Sequence, residues 1–124
     1  MAGEPILIID DNVLNLKLVT YLLTAKGYDI HTAANAEEAM KTLKTFQPRL
    51  ILMDIQLPGM DGFELTKKLK ADPNYKNIPI IAITAYAMKG DKEKVLAAGC
   101  DGYIAKPIDT RTFPDIINKY LHSS

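Results

Sequence analysis

Five short strand-like runs, each followed by a helical pattern, constrain this 124-residue chain more than any other feature. Four are continuously apolar or nearly so: residues 6–9, 50–53, 78–83 and Gly102–Ala105; residues 28–33 form a weaker candidate. Between them, Val13, Leu14, Leu16, Leu18, Val19, Leu22 and Leu23 recur at helical spacing, with Gly27 as the stop. Residues 36–46 place Ala36, Ala39, Met40 and Leu43 on one helical face, and Gln47-Pro48 closes it. Phe63, Leu65 and Leu69 mark a third helix that stops near Asp72-Pro73. Residues 89–98, ended by Gly99, and 112–121, striped by Ile116, Ile117, Tyr120 and Leu121, complete the series. Continuous apolar strands alternating with helices require a parallel sheet covered on both faces. With right-handed crossovers the expectation is a doubly wound α/β fold in one domain over 1–124, with a core of about 5–121.

The totals exclude several classes. Fifteen basic and 15 acidic side chains cancel, which argues against a coat for nucleic acid or an anionic membrane. The apolar runs are far too short to span a bilayer, and no signal-peptide pattern follows Met1, so a cytoplasmic protein is expected. The single cysteine, Cys100, excludes an internal disulfide and is expected as a small buried hydrophobe rather than a reactive thiol.

In an open parallel sheet, ligands bind outside the carboxyl ends of the strands. The polar residues that follow the apolar runs are therefore the test of function. They are Asp10 and Asp11, then Asp54, Thr84 and Lys106. Singly, each has a bland explanation: Asp10 or Asp11 as a helix N-cap, Thr84 as a strand residue, Lys106 as a surface charge. Together they place three carboxylates, a hydroxyl and an ammonium at one edge. Two carboxylates about 4 Å apart repel by roughly 4 kcal/mol at an effective dielectric near 20. A proton or a cation must therefore sit among them. An oxygen-only set suits Mg2+ (or Mn2+). No Cys/His set for zinc exists, and His31 and His122 are expected at the solvated surface. Carboxylates with a cation, a lysine and a hydroxyl can handle a phosphoryl group, one Asp being the covalent acceptor.

These residues resemble the response-regulator receiver domain of two-component signalling. The resemblance covers nearly the whole chain through Ile8-Ile9-Asp10-Asp11-Asn12, Leu52-Met53-Asp54-Ile55-Gln56-Leu57-Pro58-Gly59-Met60-Asp61-Gly62, Ile83-Thr84-Ala85 and Ala105-Lys106-Pro107. Met53-Asp54-Ile55-Gln56-Leu57-Pro58, Ala87-Met88-Lys89-Gly90-Asp91 and the Asn12/Asn15 pair are similar to DivK-type single-domain receivers and to receivers of hybrid histidine kinases. The resemblance implies a flavodoxin- or CheY-like (βα)5 fold with strand order 2-1-3-4-5. It implies Asp54 as phosphoacceptor, and Mg2+ held by Asp11, Asp54 and the backbone carbonyl of Gln56, with Asp10 acting through water. Lys106, Thr84 and the small Ala85 would meet the phosphoryl group, and the Lys106–Pro107 peptide is expected to be cis. Tyr103 matches the family's aromatic switch position; as a residue in an apolar strand it reads equally as plain core. Tyr86 either lines the mouth of the site, screening an acyl phosphate from water, or is a half-exposed loop tyrosine.

The chain has no Gly-rich ATP-binding motif, so the expected donor is a phosphohistidine on a histidine kinase or histidine phosphotransfer protein. Catalysis is expected only of its own phosphorylation and dephosphorylation. With no output domain after the last helix, output is expected through protein contacts on the face of residues 89–98, the fifth strand and the last helix. Lys89, Asp91, Lys92, Glu93, Lys94 and Val95 belong to that face. A haloacid-dehalogenase-like phosphatase would carry a second Asp where Gln56 stands and its nucleophile after the first strand. A receiver-like binding module that takes no phosphate would lack an acid or the lysine.

Overall fold

The computed structural model describes residues 3–55, 62–84, 89–105 and 108–122, with residues 89–92 described by their backbone only. Five strands alternate with five helices: β1 Pro5–Ile9, α1 Val13–Thr24, β2 Asp29–Ala33, α2 Ala36–Leu43, β3 Leu50–Asp54, α3 Gly62–Ala71, β4 Ile80–Thr84, α4 Lys89–Ala97, β5 Gly102–Ala105 and α5 Phe113–His122. All strands are parallel, as the alternation predicts, and they run in the order β2-β1-β3-β4-β5 that the resemblance implies.

Because successive strand side chains point to opposite faces, each continuous apolar run feeds two cores. Leu7, Ile9, Ile51, Met53, Ile80 and Ala82 pack with Ala39 and Leu43 of α2, Leu65 and Leu69 of α3 and Val95 of α4. Ile6, Ile8, Leu50, Leu52, Ile81 and Ile83 pack with Val19 and Leu23 of α1 and Phe113, Ile117 and Leu121 of α5. β1, β3 and β4 lie inside the sheet and are almost wholly buried; β2, at an edge, is not.

Several boundaries differ from the sequence reading for local reasons. β4 begins at Ile80 rather than residue 78, because the Ile78 N–H closes a turn on the Tyr75 carbonyl and Pro79 has no N–H to give a ladder. α2 ends at Leu43, where the Lys44 N–H turns back to the Lys41 carbonyl. Gly27 does stop α1, in the left-handed region at φ 91°. The helical spacing read in α1 holds, but its apolar residues divide: Val19 and Leu23 are buried, whereas Val13, Leu14 and Leu18 are exposed. Seven apolar residues on a 12-residue helix cover more than the roughly 100° stripe that a sheet can bury. Among the described residues, no helix is long and apolar enough to cross a membrane.

Candidate functional site

The register of the sheet brings the acidic strand ends together. Ile9 pairs with Met53 across β1 and β3, so the next residues, Asp10 and Asp54, leave the sheet side by side. Asp54 pairs with Ile83 across β3 and β4, which puts Thr84 one step further along the same edge, opposite Ala105 of β5. Asp10 is fully buried at 0% exposure, Asp54 and Thr84 are nearly so, and Asp11 is exposed. Carboxylate oxygens of Asp10, Asp11 and Asp54 all lie within 4.8 Å of one another. The donor set is oxygen-only and acidic, and it fits a hard divalent cation at the mouth of the sheet, reached through the exposed Asp11.

Two features fix the buried members. Both oxygens of Asp10 accept hydrogen bonds: Oδ1 from the Asn12 backbone N–H at 2.9 Å, and Oδ2 from the Asn15 side-chain amide. Asp54 is braced from below by α3. A Cβ on Gly62 would stand 2.7 Å from the Ile55 Cα and 2.9 Å from the Asp54 carbonyl oxygen. The Gly62 N–H also donates to the Ile55 carbonyl at 2.9 Å, so only glycine lets α3 start this close to the acid.

Other expectations are met differently. Neither Asp10 nor Asp11 caps α1; Asn12 does, its side chain accepting from the Asn15 N–H at 3.0 Å, while Asp10 stays within the site. Tyr103 is partly buried against the core on the α3 side of the sheet. Val95, assigned to the outward face of α4, is fully buried; Glu93 and Lys94 are exposed. His31 is not simply solvated: its ring stacks on Phe46 with centroids 4.1 Å apart and lies 3.0 Å from the Asp29 carboxylate. His122 is exposed, as expected, and Cys100 is buried and free. Lys106, Gln56, Ala85, Tyr86 and the Lys106–Pro107 peptide lie outside the described residues, as do Leu57 to Asp61 and Pro107.

The contributions of Asn12, Asn15 and Gly62 to this arrangement were not read from the sequence. The Asn12/Asn15 spacing of three residues was their visible signal, since it is that of an N-cap and its third helical residue.

A parallel α/β sheet with buried acids converging at its carboxyl edge defines a phosphoryl-handling or metal-binding class of protein. The comparisons narrow it. The profile of the response regulator receiver domain matches residues 6–118. The polar-differentiation response regulator DivK of Brucella anthropi is 47% identical over 118 residues, covering 95% of this chain and 96% of that protein. The receiver domain of a sensor histidine kinase of Pseudomonas aeruginosa, solved with a magnesium ion coordinated in its active-site cleft, superposes with a TM-score of 0.89 at 34% identity, covering 98% of this chain and all of that one (100%). The chemotaxis response regulator CheY4 of Vibrio cholerae superposes with a TM-score of 0.88 at 27% identity, over 96% of this chain and 98% of that one. The chain belongs to the response regulator receiver family. It is a phospho-accepting module of two-component signalling.

Proposed function

We propose that Asp54 is the phosphoacceptor and that the donor is a phosphohistidine on a histidine kinase or histidine phosphotransfer protein. The observation that carries this reading is the cluster of Asp10, Asp11 and Asp54 within 4.8 Å, beside Thr84 at the next strand end. An Asp54 carboxylate oxygen attacks phosphorus as the P–N bond to the donor imidazole breaks, and the leaving ring nitrogen takes up a proton. Water later attacks the same phosphorus, the P–O bond to Asp54 breaks, and inorganic phosphate leaves with the carboxylate restored. Lys106 pairs with the phosphoryl oxygens, the Thr84 hydroxyl donates to one of them, and the Ala85 backbone N–H serves another. Asp11, Asp54 and the Gln56 carbonyl would hold Mg2+ directly, with Asp10 acting through water. Bound there, the ion offsets the negative charge of carboxylates and phosphoryl oxygens alike.

The chain then catalyses only its own phosphorylation and dephosphorylation, in the cytoplasm. The new charge of about −1.5 to −2 acts on Thr84 and Tyr103 and biases the face of α4, β5 and α5 toward a downstream protein. Neither nucleic acid nor membrane is part of this reading.

The test is intact-mass analysis after incubation with acetyl phosphate. A Mg2+-dependent adduct of about 80 Da, one phosphoryl group, is expected on the wild type and absent from Asp54→Asn. An adduct that survives Asp54→Asn, or none on the wild type, overturns the assignment. Continuous turnover of p-nitrophenyl phosphate would instead favour the phosphatase reading.

A further inference from the structure

The first turn of α1 departs from the way the same chain starts α2. Asn35 caps α2, and the third helical residue, Glu38, closes the cap: its N–H donates to Asn35 Oδ1 at 2.8 Å, and its carboxylate accepts from the Ala34 N–H at 3.3 Å. That is a variant of the capping box, the carboxylate reaching the N–H one residue before the cap instead of the cap's own. In α1 the cap is again an asparagine, Asn12, but the third residue is Asn15, a weaker helix former than Glu, and the first turn carries no acid. The Asn15 side chain turns away from the cap and donates its amide to Asp10 Oδ2. A carboxylate can only accept, so the donating atom is the amide nitrogen.

The result is a closed network: Asn12 holds the backbone of Asn15 and the Oδ1 of Asp10, and Asn15 holds the Oδ2. A glutamate at position 15 would complete the capping box and bring a fourth carboxylate beside three that already lie within 4.8 Å. The sequence gives up the better cap where the site needs a donor.

We propose that Asn15 is a positioning residue of the cation site, fixing the Asp10 carboxylate where it lies within 4.8 Å of the carboxylates of Asp11 and Asp54. The proposal rests on the reading of the site above. Partners that orient the ligands of a metal change its affinity by about 10–100-fold when removed, and for an acid acting through water the low end applies.

Mg2+ titration followed by amide chemical shifts, with thermal unfolding alongside, tests it. Asn15→Leu keeps the size of the side chain and favours the helix, so folding is retained. Its Mg2+ affinity is expected to fall about tenfold. A purely structural role would move the unfolding midpoint and leave affinity alone. In an Asp10→Asn background the same substitution is expected to cost less than about twofold, because its route to the ion is gone. An Asn15→Leu affinity within about threefold of wild type overturns the proposal, and so does a full loss that persists in Asp10→Asn. Absence of Mg2+ binding by the wild type would instead overturn the site reading itself, and the proposal with it.

Discussion

Among the described residues, the amino edge of the sheet pairs acids with basic side chains, whereas the carboxyl edge gathers three acids. Lys70, from the end of α3, lies 2.9 Å from the Asp101 carboxylate and donates to the Ile78 and Lys76 carbonyls at 2.9 and 3.3 Å. Asp101 in turn accepts from the Ile80 N–H at 2.8 Å, so one ion pair ties α3, the start of β4 and the start of β5. Glu4, just before β1, lies 3.6 Å from His122 at the end of α5. The carboxyl edge instead gathers Asp10, Asp11 and Asp54 within 4.8 Å. A pair of full charges at that distance repels by about 3.5 kcal/mol at an effective dielectric near 20. Among the described residues, the same sheet therefore ties one edge with an ion pair and gathers three acids at the other. Such local inconsistency is where function is to be sought.

Breaking the amino-edge clamp is the largest expected effect. Lys70→Met keeps most of the stem and removes the ammonium, leaving two carbonyls and Asp101 without its charge. Hydrogen bonds to charged groups contribute about 1.5–3 kcal/mol, and with the Lys70 side chain only 20% exposed we expect a loss of about 2 kcal/mol in urea unfolding. A change below about 0.5 kcal/mol would mean the amino edge is not held by this pair.

The opposite sign is expected at the other edge. Asp54→Asn removes one of three like charges and, in EDTA, raises stability by about 1 kcal/mol, part of the repulsion being met by neighbouring groups. Mg2+ at ten times its dissociation constant stabilises the wild type by about 1.4 kcal/mol, and this gain should largely vanish in the variant. If Asp54→Asn were destabilising in EDTA, the contrast between the two edges would collapse.

Which parts of this were legible in the sequence follows from the physics of each. Buried parallel strands must be apolar on both faces, so β1, β3 and β4 announce themselves as unbroken runs, and the acids that end them are visible by position. Which face of α1 is buried is not visible, because Val13, Leu14 and Leu18 are as apolar as Val19 and Leu23 yet stay exposed. The choice depends on how the helix packs on the sheet, where Val19 and Leu23 join the core beside α5. The need for glycine at position 62 was equally hidden: it depends on the backbone of Asp54 and Ile55, close only once α3 docks. The clamp of Lys70 and Asp101 spans 31 residues and leaves no local pattern.

Cys100 offers the finest probe of the amino edge. It is 5% exposed, and burial pushes its thiol above the ordinary value of 9.0. A hydrogen bond with Thr66 pulls the other way; after it, Asp101 raises the thiol and Lys70 lowers it, so the two members of the clamp oppose each other there. A raised value means that the folded state holds the proton more tightly than the unfolded chain. The thiol's contribution to stability is therefore whole below pH 9.0 and is lost as pH climbs from there through the folded value. Measured as wild type minus Cys100→Ala, which cancels the tyrosines, the difference should be flat up to pH 8.5 or so and then fall by at most about 1.4 kcal/mol per pH unit. Removing the lysine should push the thiol higher still, so the fall should extend to higher pH when both proteins also carry Lys70→Met. An identical profile in the two backgrounds would show that the clamp's charges do not reach the sulfur.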